Sequence, residues 1–335
     1  MQQRKLGEFK VSAIGLGCMN LSHAYGPAAS PEQGERVLLS ALDAGVTLFD
    51  TAALYGFGAN ETLVGKVMKP HRQKFTLASK CGMQGVDLGD GKPVRVIDGR
   101  PDTIRKTCED SLRRLQTDVI DLYYLHRWDK KVPIEDSVGA LSDLVRKGHI
   151  RSIGLSEVSS ATLRRAHAVH PIAALQTEYS LWTRNPEIAV LDACRELGTT
   201  FVAFSPVARG FLADGVGDAS NMAKGDLRRH MPRFNPPHLE TNLKLLAAFK
   251  GIAAELGVTP GQLSLAWLLN RDDQLVTIPG TGSIPHLEEN FGARDIVLAP
   301  EVMARLDALI NRHTVSGPRY APAMQASIDT EDFAD

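Results

Sequence analysis

Residues 119–155 read VIDLYYLHRWDKKVPIEDSVGALSDLVRKGHIRSIGL, and this stretch decides the fold of the chain. It begins with an apolar run at 119–125 and ends with another at 150–155, and both have the character of buried strands. Between them, four apolar residues recur at the spacing of one helix face: Val138, Leu141, Leu144 and Val145. Gly148 then separates helix from strand, as a left-handed helix end requires. A strand, a helix and a strand in this order predict two parallel strands joined by a covering helix.

The same alternation recurs along the whole chain. Strand-like runs, separated by amphipathic helical stretches, cover residues 13–16, 47–49, 75–79, 119–125, 150–155, 173–176, 200–204 and 275–278. Gly45 and Gly198 mark further helix ends, and Ser30-Pro31-Glu32-Gln33 has the pattern of a capping box before a helix. Eight such units favour a closed (β/α)8 TIM barrel. The alternative is an open doubly wound sheet, but Gly15-Leu16-Gly17 lacks the third glycine of its usual dinucleotide-binding turn.

A single domain over residues 1–335 is expected, because no linker, repeat or low-complexity tract interrupts this pattern. Two segments depart from the alternation. Residues 208–238 are rich in Gly, Pro, Asp and Arg, which predicts a long mobile loop. Residues 314–335 lack a strand or helix pattern, and we expect them to form a loosely attached C-terminal tail.

Composition and charge exclude several classes of protein. Of the 335 residues, 43% are apolar and 23% are charged, and the net charge of −1 argues against nucleic acid or an anionic membrane as the main partner. No apolar run is long enough to cross a bilayer, and the first residues lack the apolar core of a secretion signal. The cysteines, Cys18, Cys81, Cys108 and Cys194, form no C-x-x-C pair. We therefore expect neither a disulfide framework nor a zinc site, and we predict a cytoplasmic location.

Polar side chains end most of the predicted strands. In order along the chain they are Asp50, Tyr55, Lys80, His126, Ser156, Gln176 and Ser205. Any one of them can be explained by a helix cap, a buried ion pair or a satisfied histidine. Ionisable groups at the ends of adjacent strands are harder to explain by stability alone, because each is costly to bury. Since the catalytic groups of barrels lie at the carboxyl ends of the strands, we expect these side chains to meet at one rim.

Four of these residues make chemical sense together. A tyrosine keeps its proton up to a pH near ~10, and the nearby Lys80 ammonium is expected to lower the pKa of Tyr55. Asp50 would keep that ammonium charged and in place, and His126 can hydrogen-bond a carbonyl group or relay a proton. The set suits the transfer of one proton to or from a carbonyl oxygen at neutral pH. It offers no serine or cysteine nucleophile and too few ligands for a metal ion.

At these residues the chain resembles the aldo-keto reductase superfamily, and the resemblance covers nearly its whole length. The stretches that carry it are FDTAALYG at 49–56, SK at 79–80, LYYLH at 122–126, GLS at 154–156 and IPGT at 278–281. Two more, GLGCM at 15–19 and YGP at 25–27, are similar to a bacterial and plant branch related to pyridoxal reductases and other broad carbonyl reductases.

The resemblance implies a barrel preceded by a short N-terminal hairpin at residues 3–12, with a nicotinamide dinucleotide across its top. NADP(H) is the expected cofactor, and NAD(H) is a weaker alternative. Tyr55 is implied as the general acid, Asp50 and Lys80 as the residues that tune it, and His126 as the group that positions the substrate carbonyl. The residues implied in cofactor binding are Gly17, Met19, Asp50, Ser156, Gln176, Phe204, Ser205, Val207, Arg209, Gly280, Gly282, His286, Glu289 and Asn290.

Within this set, the resemblance implies a role for each part of the chain. Ser156 and Gln176 would hold the carboxamide of the nicotinamide, and Phe204 would stack on its ring. Residues 205–209 would line the pyrophosphate, and the loop 280–290 would enclose the adenosine end.

The sequence departs from the family pattern at two positions that bear on binding. Many relatives have asparagine where Glu157 follows Ser156. No Lys or Arg lies between Arg271 and Arg294, and His286 stands about where an arginine is often found. We therefore expect a preference for NADPH over NADH that is weaker than an arginine-bearing loop would give. The candidates for the apolar wall of the substrate pocket are Met19, Tyr25, Leu54, Trp128 and Phe211.

The sequence thus predicts an NADP(H)-dependent oxidoreductase that reduces small aldehydes or ketones to alcohols, with proton donation from Tyr55. The main alternative is a cofactor-binding regulatory or redox-sensor module on the same fold with little turnover. Steady NADPH consumption with a simple aldehyde separates the two. A metal-dependent barrel isomerase or hydrolase is a third hypothesis, which the few carboxylates and histidines at the strand ends disfavour. No nucleic acid, membrane or metal is expected as a partner.

Overall fold

The computed structural model describes residues 2–22, 25, 28–87, 89, 93–213 and 219–333. The strands are β1 (Gln3–Leu6), β2 (Phe9–Ser12), β3 (Leu16–Gly17), β4 (Leu48–Asp50), β5 (Thr76–Cys81), β6 (Met83–Asp87), β7 (Pro93–Ile97), β8 (Ile120–Leu125), β9 (Ile150–Ser156), β10 (Ile172–Glu178), β11 (Thr200–Phe204) and β12 (Val276–Thr277). The helices are α1 (Pro31–Asp43), α2 (Ala59–Met68), α3 (Pro101–Leu115), α4 (Ile134–Arg146), α5 (Ser160–Val169), α6 (Val190–Leu197), α7 (His238–Glu255), α8 (Pro260–Arg271), α9 (Ile284–Gly292), α10 (Pro300–Leu309) and α11 (Pro322–Gln325). None of these helices is long and apolar enough to span a bilayer.

Eight of the described strands pair in parallel, in the order β3, β4, β5, β8, β9, β10, β11 and β12. The first and last of them meet through the bridges Ile14–Thr277 and Gly17–Gly280. The Gly15 amide donates to the Thr277 carbonyl at 2.8 Å across this seam. The sheet therefore closes on itself, which confirms the predicted (β/α)8 barrel and excludes the open doubly wound sheet.

Two strands extend past the apolar runs that predict them. β5 continues through Lys80 to Cys81, and β10 continues past Gln176 to Glu178, so both polar residues lie inside strands rather than at their ends. The reason is that backbone pairing continues where the buried polar side chain finds a partner. Lys80 pairs with Asp50, and Gln176 donates to Asp50 at 2.8 Å.

The interior of the barrel is filled by side chains from several strands and is closed by the N-terminal hairpin. This interior cluster consists of Leu6, Val11, Leu48, Ala78, Leu122, Tyr124, Ala174, Val202, Val276 and Ile278. Leu6 and Val11 come from the antiparallel pair β1–β2, which confirms the hairpin expected at residues 3–12. Arg4 fixes the hairpin to the barrel by donating to the backbone carbonyls of Leu269 and Asp272, each at 2.7 Å. The larger apolar core lies between the outer face of the sheet and the helices.

The helix ends follow the sequence signals with one exception. Gly45, Gly148 and Gly198 have φ values of 87°, 76° and 68°, in the left-handed region that they were expected to adopt. Ser30 caps α1 by accepting from the Gln33 amide, but the predicted return bond of a capping box is wrong. The Gln33 side chain instead donates to the Gly282 carbonyl at 3.0 Å and ties α1 to the loop after β12.

The two segments that break the alternation contain structure of their own in the described chain. In the segment 208–238, residues 208–213 and 219–238 contain short 3-10 turns, while residues 214–218 lie outside the described chain. The prediction of a loosely attached tail at 314–335 is wrong for its described part, residues 314–333. Arg319 and Tyr320 are only 8% and 4% exposed, and Ile328 is buried as well. Long-range ion pairs hold this segment across the top of the barrel, and no local pattern of sequence encodes them.

Candidate active site

Neighbouring strands bring the predicted catalytic residues together. Asp50 ends β4, Lys80 lies near the end of β5, and His126 directly follows β8, and these three strands are adjacent in the barrel. Tyr55 begins a 3-10 turn just after β4. Because parallel strands present their carboxyl ends on one rim, residues 76 positions apart in sequence reach the same point in space.

Lys80 is the centre of this cluster. Its ammonium is fully buried, pairs with the Asp50 carboxylate, and donates to the Thr51 carbonyl at 2.9 Å and to the Tyr55 hydroxyl at 3.2 Å. The rings of Tyr55 and His126 meet edge to face, with 5.8 Å between their centroids. All four side chains are less than 10% exposed, and Tyr55 and His126 retain 8% each. The buried Lys80 charge is thus neutralised by Asp50. On its other side lies the Tyr55 hydroxyl, which carries a proton.

The pKa of Tyr55 is shifted in the direction opposite to the one expected from the sequence. Burial raises the pKa of Tyr55 above its ordinary value, and the Lys80 ammonium acts against this without reversing it. For Lys80 itself, burial lowers the pKa, but Asp50 and Tyr55 outweigh burial and raise it. At neutral pH the phenol therefore carries its proton and the ammonium its charge. A negative charge that develops on the Tyr55 oxygen is stabilised by the ammonium beside it.

A second layer of buried polar residues holds this cluster in place. The Asn60 side chain accepts from the Thr51 hydroxyl at 2.6 Å and donates to the Cys18 carbonyl at 2.8 Å. Glu61 accepts from Ser79, the neighbour of Lys80, at 2.5 Å and pairs with Arg114. The sequence analysis did not identify these residues. Their only signal is an Asn-Glu pair at the start of α2, which an ordinary first helical turn also carries.

A cavity of about 560 Å³ runs from the Tyr55 hydroxyl across the barrel top to α9. All of the residues implied in cofactor binding line it: Gly17, Met19, Asp50, Ser156, Gln176, Phe204, Ser205, Val207, Arg209, Gly280, Gly282, His286, Glu289 and Asn290. Tyr25 and Leu54 from the predicted substrate wall line it too. Lys80 lies behind the wall and reaches the cavity only through Tyr55.

The α9 end of the cavity has features that fit an anionic ligand. A Cβ on Gly280 would lie 2.5 Å from the Asn20 side-chain oxygen and 3.0 Å from the Gly17 carbonyl oxygen, so a larger residue there would displace Asn20 and crowd the seam. Ser283 stands at the N-cap of α9 without a side-chain capping bond, and Ser283 and His286 line the cavity. Backbone N–H groups at a helix N-terminus, with the helix dipole behind them, favour an anion. An extended anionic nucleotide therefore fits this half of the cavity.

Arg209, expected at the pyrophosphate, lies on the cavity wall but is engaged by other side chains. Its guanidinium pairs with the buried Glu178 and donates to the hydroxyls of Tyr25 and Tyr320 at 2.8 and 2.7 Å. Burial raises the pKa of Glu178, but Arg209 and Arg319 outweigh burial and lower it to about 2. The arginine is thus held by a fixed negative charge beneath it.

Known proteins provide an independent comparison. The sequence model of the aldo/keto reductase family matches residues 13–311. The chain belongs to the aldo/keto reductase family. It is 42% identical over 331 residues to the aldo-keto reductase yakc [NADP(+)] of Schizosaccharomyces pombe, covering 97% of this chain and 96% of that one.

Solved structures agree with this assignment. A glycerol dehydrogenase from Gluconobacter oxydans superimposes with a TM-score of 0.84 at 28% identity, over 94% of this chain and 97% of that one. An aldo/keto reductase from Klebsiella pneumoniae, in complex with NADP and acetate, gives a TM-score of 0.72 at 29% identity, over 96% of this chain and 99% of that one. The chain is therefore built as an oxidoreductase of this family.

In this aldo/keto reductase, two residues predicted for the substrate wall lie elsewhere. The Trp128 indole donates to the Val132 carbonyl at 2.8 Å and packs against the helices, away from the cavity. Phe211 stacks on Trp182 with 4.0 Å between ring centroids. The structure does not bring these two side chains to the cavity, because the loop conformation, not the distance in sequence from a strand end, sets their direction.

The reductase also has cavity residues that the sequence analysis missed. Among them are residues of the β6–β7 hairpin, the residue after His126, and residues of the C-terminal segment: Met83, Arg95, Arg127, Tyr320 and Met324. Glu157, which departs from the family pattern, turns away from the cavity. Its carboxylate accepts two bonds from Arg319 and one from the Thr330 hydroxyl, so it anchors the C-terminal segment.

Proposed function

We propose that this chain is an NADP(H)-dependent reductase that converts aldehydes or ketones to alcohols, with Tyr55 as the proton donor. The observation that carries the proposal is the position of the Tyr55 hydroxyl. It lies on the wall of the cavity, 3.2 Å from a buried ammonium that is itself neutralised by Asp50. This arrangement is suited to giving one proton to a carbonyl oxygen and to little else.

Four residues of the chain have separate roles in this reaction. NADPH, when bound, supplies a hydride to the carbonyl carbon. Tyr55 donates its proton to the carbonyl oxygen, which gains negative charge as the carbon is reduced. The Lys80 ammonium then stabilises the phenolate, and Asp50 keeps the ammonium in place. His126, whose ring meets that of Tyr55 at the cavity wall, orients the carbonyl.

Two ends of the cavity would hold the cofactor. Ser156, Gln176 and Phe204 lie on the wall near the catalytic cluster and would contact the nicotinamide. The loop 280–290, with the first turn of α9, would contact the adenosine and its phosphate. The relative from Schizosaccharomyces pombe is named for NADP(+), and the structure from Klebsiella pneumoniae holds NADP, which supports NADPH over NADH here.

The test is a spectrophotometric panel of aldehydes and ketones with NADPH and NADH in parallel, for the wild type and Tyr55→Phe. We expect turnover with NADPH and a loss of roughly 10²–10⁴-fold in kcat in the variant, the usual contribution of general acid catalysis. Fluorescence titration of NADPH is the control, and it should show nearly unchanged binding. Near wild-type turnover by Tyr55→Phe would show that Tyr55 is not the proton donor. Tight NADPH binding without reduction of any carbonyl would support the regulatory module instead.

A further inference from the structure

Two arginines line the catalytic end of the cavity, and neither has a role in the mechanism above. Arg127 directly follows His126, and Arg95 lies on β7 of the hairpin that borders the cavity mouth. Arg127 is partly buried and Arg95 is exposed at the rim. Both share the cavity wall with Tyr55 and His126, at the opposite end from α9.

Within the described chain neither guanidinium forms a direct ion pair with a carboxylate, although the charge of Arg127 acts on the buried Glu157 carboxylate and helps to lower its pKa. Arg127 donates to the His126 carbonyl at 2.6 Å and to the Ser156 hydroxyl at 3.1 Å, and both acceptors are uncharged. The described residues include no ion pair to Arg95. The nearby carboxylates are already matched, since Glu157 is paired with Arg319 and Glu178 with Arg209.

The two guanidinium groups act on each other and on the catalytic tyrosine. Partial burial of its guanidinium lowers the pKa of Arg95, and the charge of Arg127 lowers it further. The charge of Arg127 also favours the ionised form of Tyr55. The catalytic end of the cavity therefore has a positive potential, and a cleft with one sign of charge concentrates ligands of the opposite sign.

The hairpin that carries Arg95 is fixed to the loop that carries Tyr55. Gly85 of β6 lies directly opposite Arg95 of β7. Residues opposite each other in an antiparallel pair project to the same face. A Cβ on Gly85 would lie only 2.0 Å from the Phe57 ring, so the ring occupies the space that the glycine leaves open. Phe57 is two residues from Tyr55, so this packing places the hairpin that carries Arg95 beside the loop of the proton donor.

We propose that Arg95 and Arg127 form an anion subsite, so that this reductase selects aldehydes and ketones that carry a carboxylate or a phosphate group. The inference rests on the proposed function and names its substrate class. A guanidinium binds either group through charge-assisted hydrogen bonds, which are about twice as strong as neutral ones. The carbonyl would then meet Tyr55 and His126 while the anionic end of the substrate meets the two arginines.

Matched substrate pairs test the proposal and distinguish the two anions. The first pair is 4-carboxybenzaldehyde and its neutral ester, methyl 4-formylbenzoate; the second is glyceraldehyde 3-phosphate and glyceraldehyde. The readout is the ratio of kcat/KM for the charged and the neutral member. It is measured for the wild type, Arg95→Gln and Arg127→Gln. Lys131→Gln is the control, because Lys131 is an exposed cation in the same loop as Arg127 but outside the cavity.

We expect the wild type to favour the charged member of at least one pair by about tenfold or more, the usual value of a hydrogen bond to a charged group. The pair that shows the preference identifies carboxylate or phosphate as the preferred anion. Arg95→Gln and Arg127→Gln should each reduce the ratio, mainly through KM, while Lys131→Gln should leave it unchanged. Added salt should weaken the preference of the wild type.

The outcomes separate this proposal from the proposed function. If both members of each pair are reduced equally by the wild type, or if neither arginine variant changes the ratio, the subsite is wrong and the reductase assignment stands. If no aldehyde is reduced, the proposed function fails, and calorimetric binding of benzoate and phenyl phosphate, compared with benzamide, tests the subsite alone. Equal binding of these compounds by the wild type and Arg95→Gln would then overturn it.

Discussion

Replacing Arg319 by methionine tests the anchor that holds the C-terminal segment, residues 314–333, across the barrel. The Arg319 guanidinium donates to both oxygens of Glu157, one of them at 2.9 Å, and to Glu178 at 3.1 Å. The side chains of all three residues are at most 5% exposed. Methionine keeps an unbranched apolar stem and removes the guanidinium, so the variant mainly removes the ion pairs.

The structure sets the size of the expected effect. Removing one partner of a buried ion pair costs about 3–5 kcal/mol, because the other charge stays buried without compensation. Glu178 retains Arg209, while Glu157 retains the Thr330 hydroxyl at 2.5 Å and the Glu178 amide at 3.0 Å. These remaining donors place the loss at the lower end of that range. We expect Arg319→Met to lower the free energy of unfolding by about 3 kcal/mol.

The assay is equilibrium unfolding in urea at pH 7 for Arg319→Met, Glu157→Gln and the double variant. A neutral amide does not need the guanidinium, so the double variant should be more stable than the sum of the single losses predicts, by about 0.5–3 kcal/mol. Arg305→Met is the control, because its ion pair with Glu255 is more than half exposed and should contribute less than about 1 kcal/mol. A loss below about 0.5 kcal/mol for Arg319→Met, with no coupling, would refute the reasoning about this anchor.

Three further predictions concern single residues. Lys80→Met should reduce turnover strongly and move the alkaline limb of the pH–rate profile to higher pH, because Lys80 lowers the pKa of Tyr55 against the effect of burial. Circular dichroism must first show that the variant folds. An unchanged pH–rate profile would leave Lys80 with a structural role only. His286→Arg should tighten NADPH by roughly tenfold, about 1.4 kcal/mol, with little effect on NADH, and equal effects on both would place the 2′-phosphate elsewhere. The pKa of Glu178 is 4.5 in the unfolded chain and about 2 in the folded one, so the stability that Glu178 contributes is complete above about pH 4.5 and is lost toward pH 2. In urea titrations at several pH values, Glu178→Gln should therefore lose less stability between pH 4.5 and pH 2 than the wild type. An identical loss in both proteins would contradict the lowered pKa of Glu178.

The sequence predicted the barrel and the meeting of the candidate catalytic residues at one rim, because both depend on local patterns. Each strand–helix unit shows its period within about ten residues, and successive units are placed side by side in a parallel sheet. The chain order of Asp50, Lys80 and His126 therefore becomes their spatial order around the rim. The N-terminal hairpin and the cofactor loop followed from the family resemblance rather than from the residues alone.

The sequence could not predict features that depend on distant or irregular segments. Arg319 and Glu157 are 162 positions apart, and nothing local shows that the C-terminal segment crosses the barrel. The β6–β7 hairpin that carries Arg95 interrupts the strand–helix alternation and follows no helical or barrel period. Trp128 stands two residues after His126, but the loop turns its indole toward Val132. In each case the direction of a side chain is set by tertiary packing that a pattern along the chain does not contain.

The seam where β3 meets β12 links the binding of a molecule in the cavity to the stability of the barrel. Gly17 and Gly280 form a bridge of the seam and also line the cavity, so a molecule lying across them spans the seam that closes the barrel. Unfolding must then release that molecule. Occupancy of the cavity therefore adds to the free energy of unfolding of the barrel. A ligand at 100 times its Kd adds about 2.7 kcal/mol to the folded state. Melting temperature followed against ligand concentration therefore measures occupancy of the cavity without any catalytic turnover.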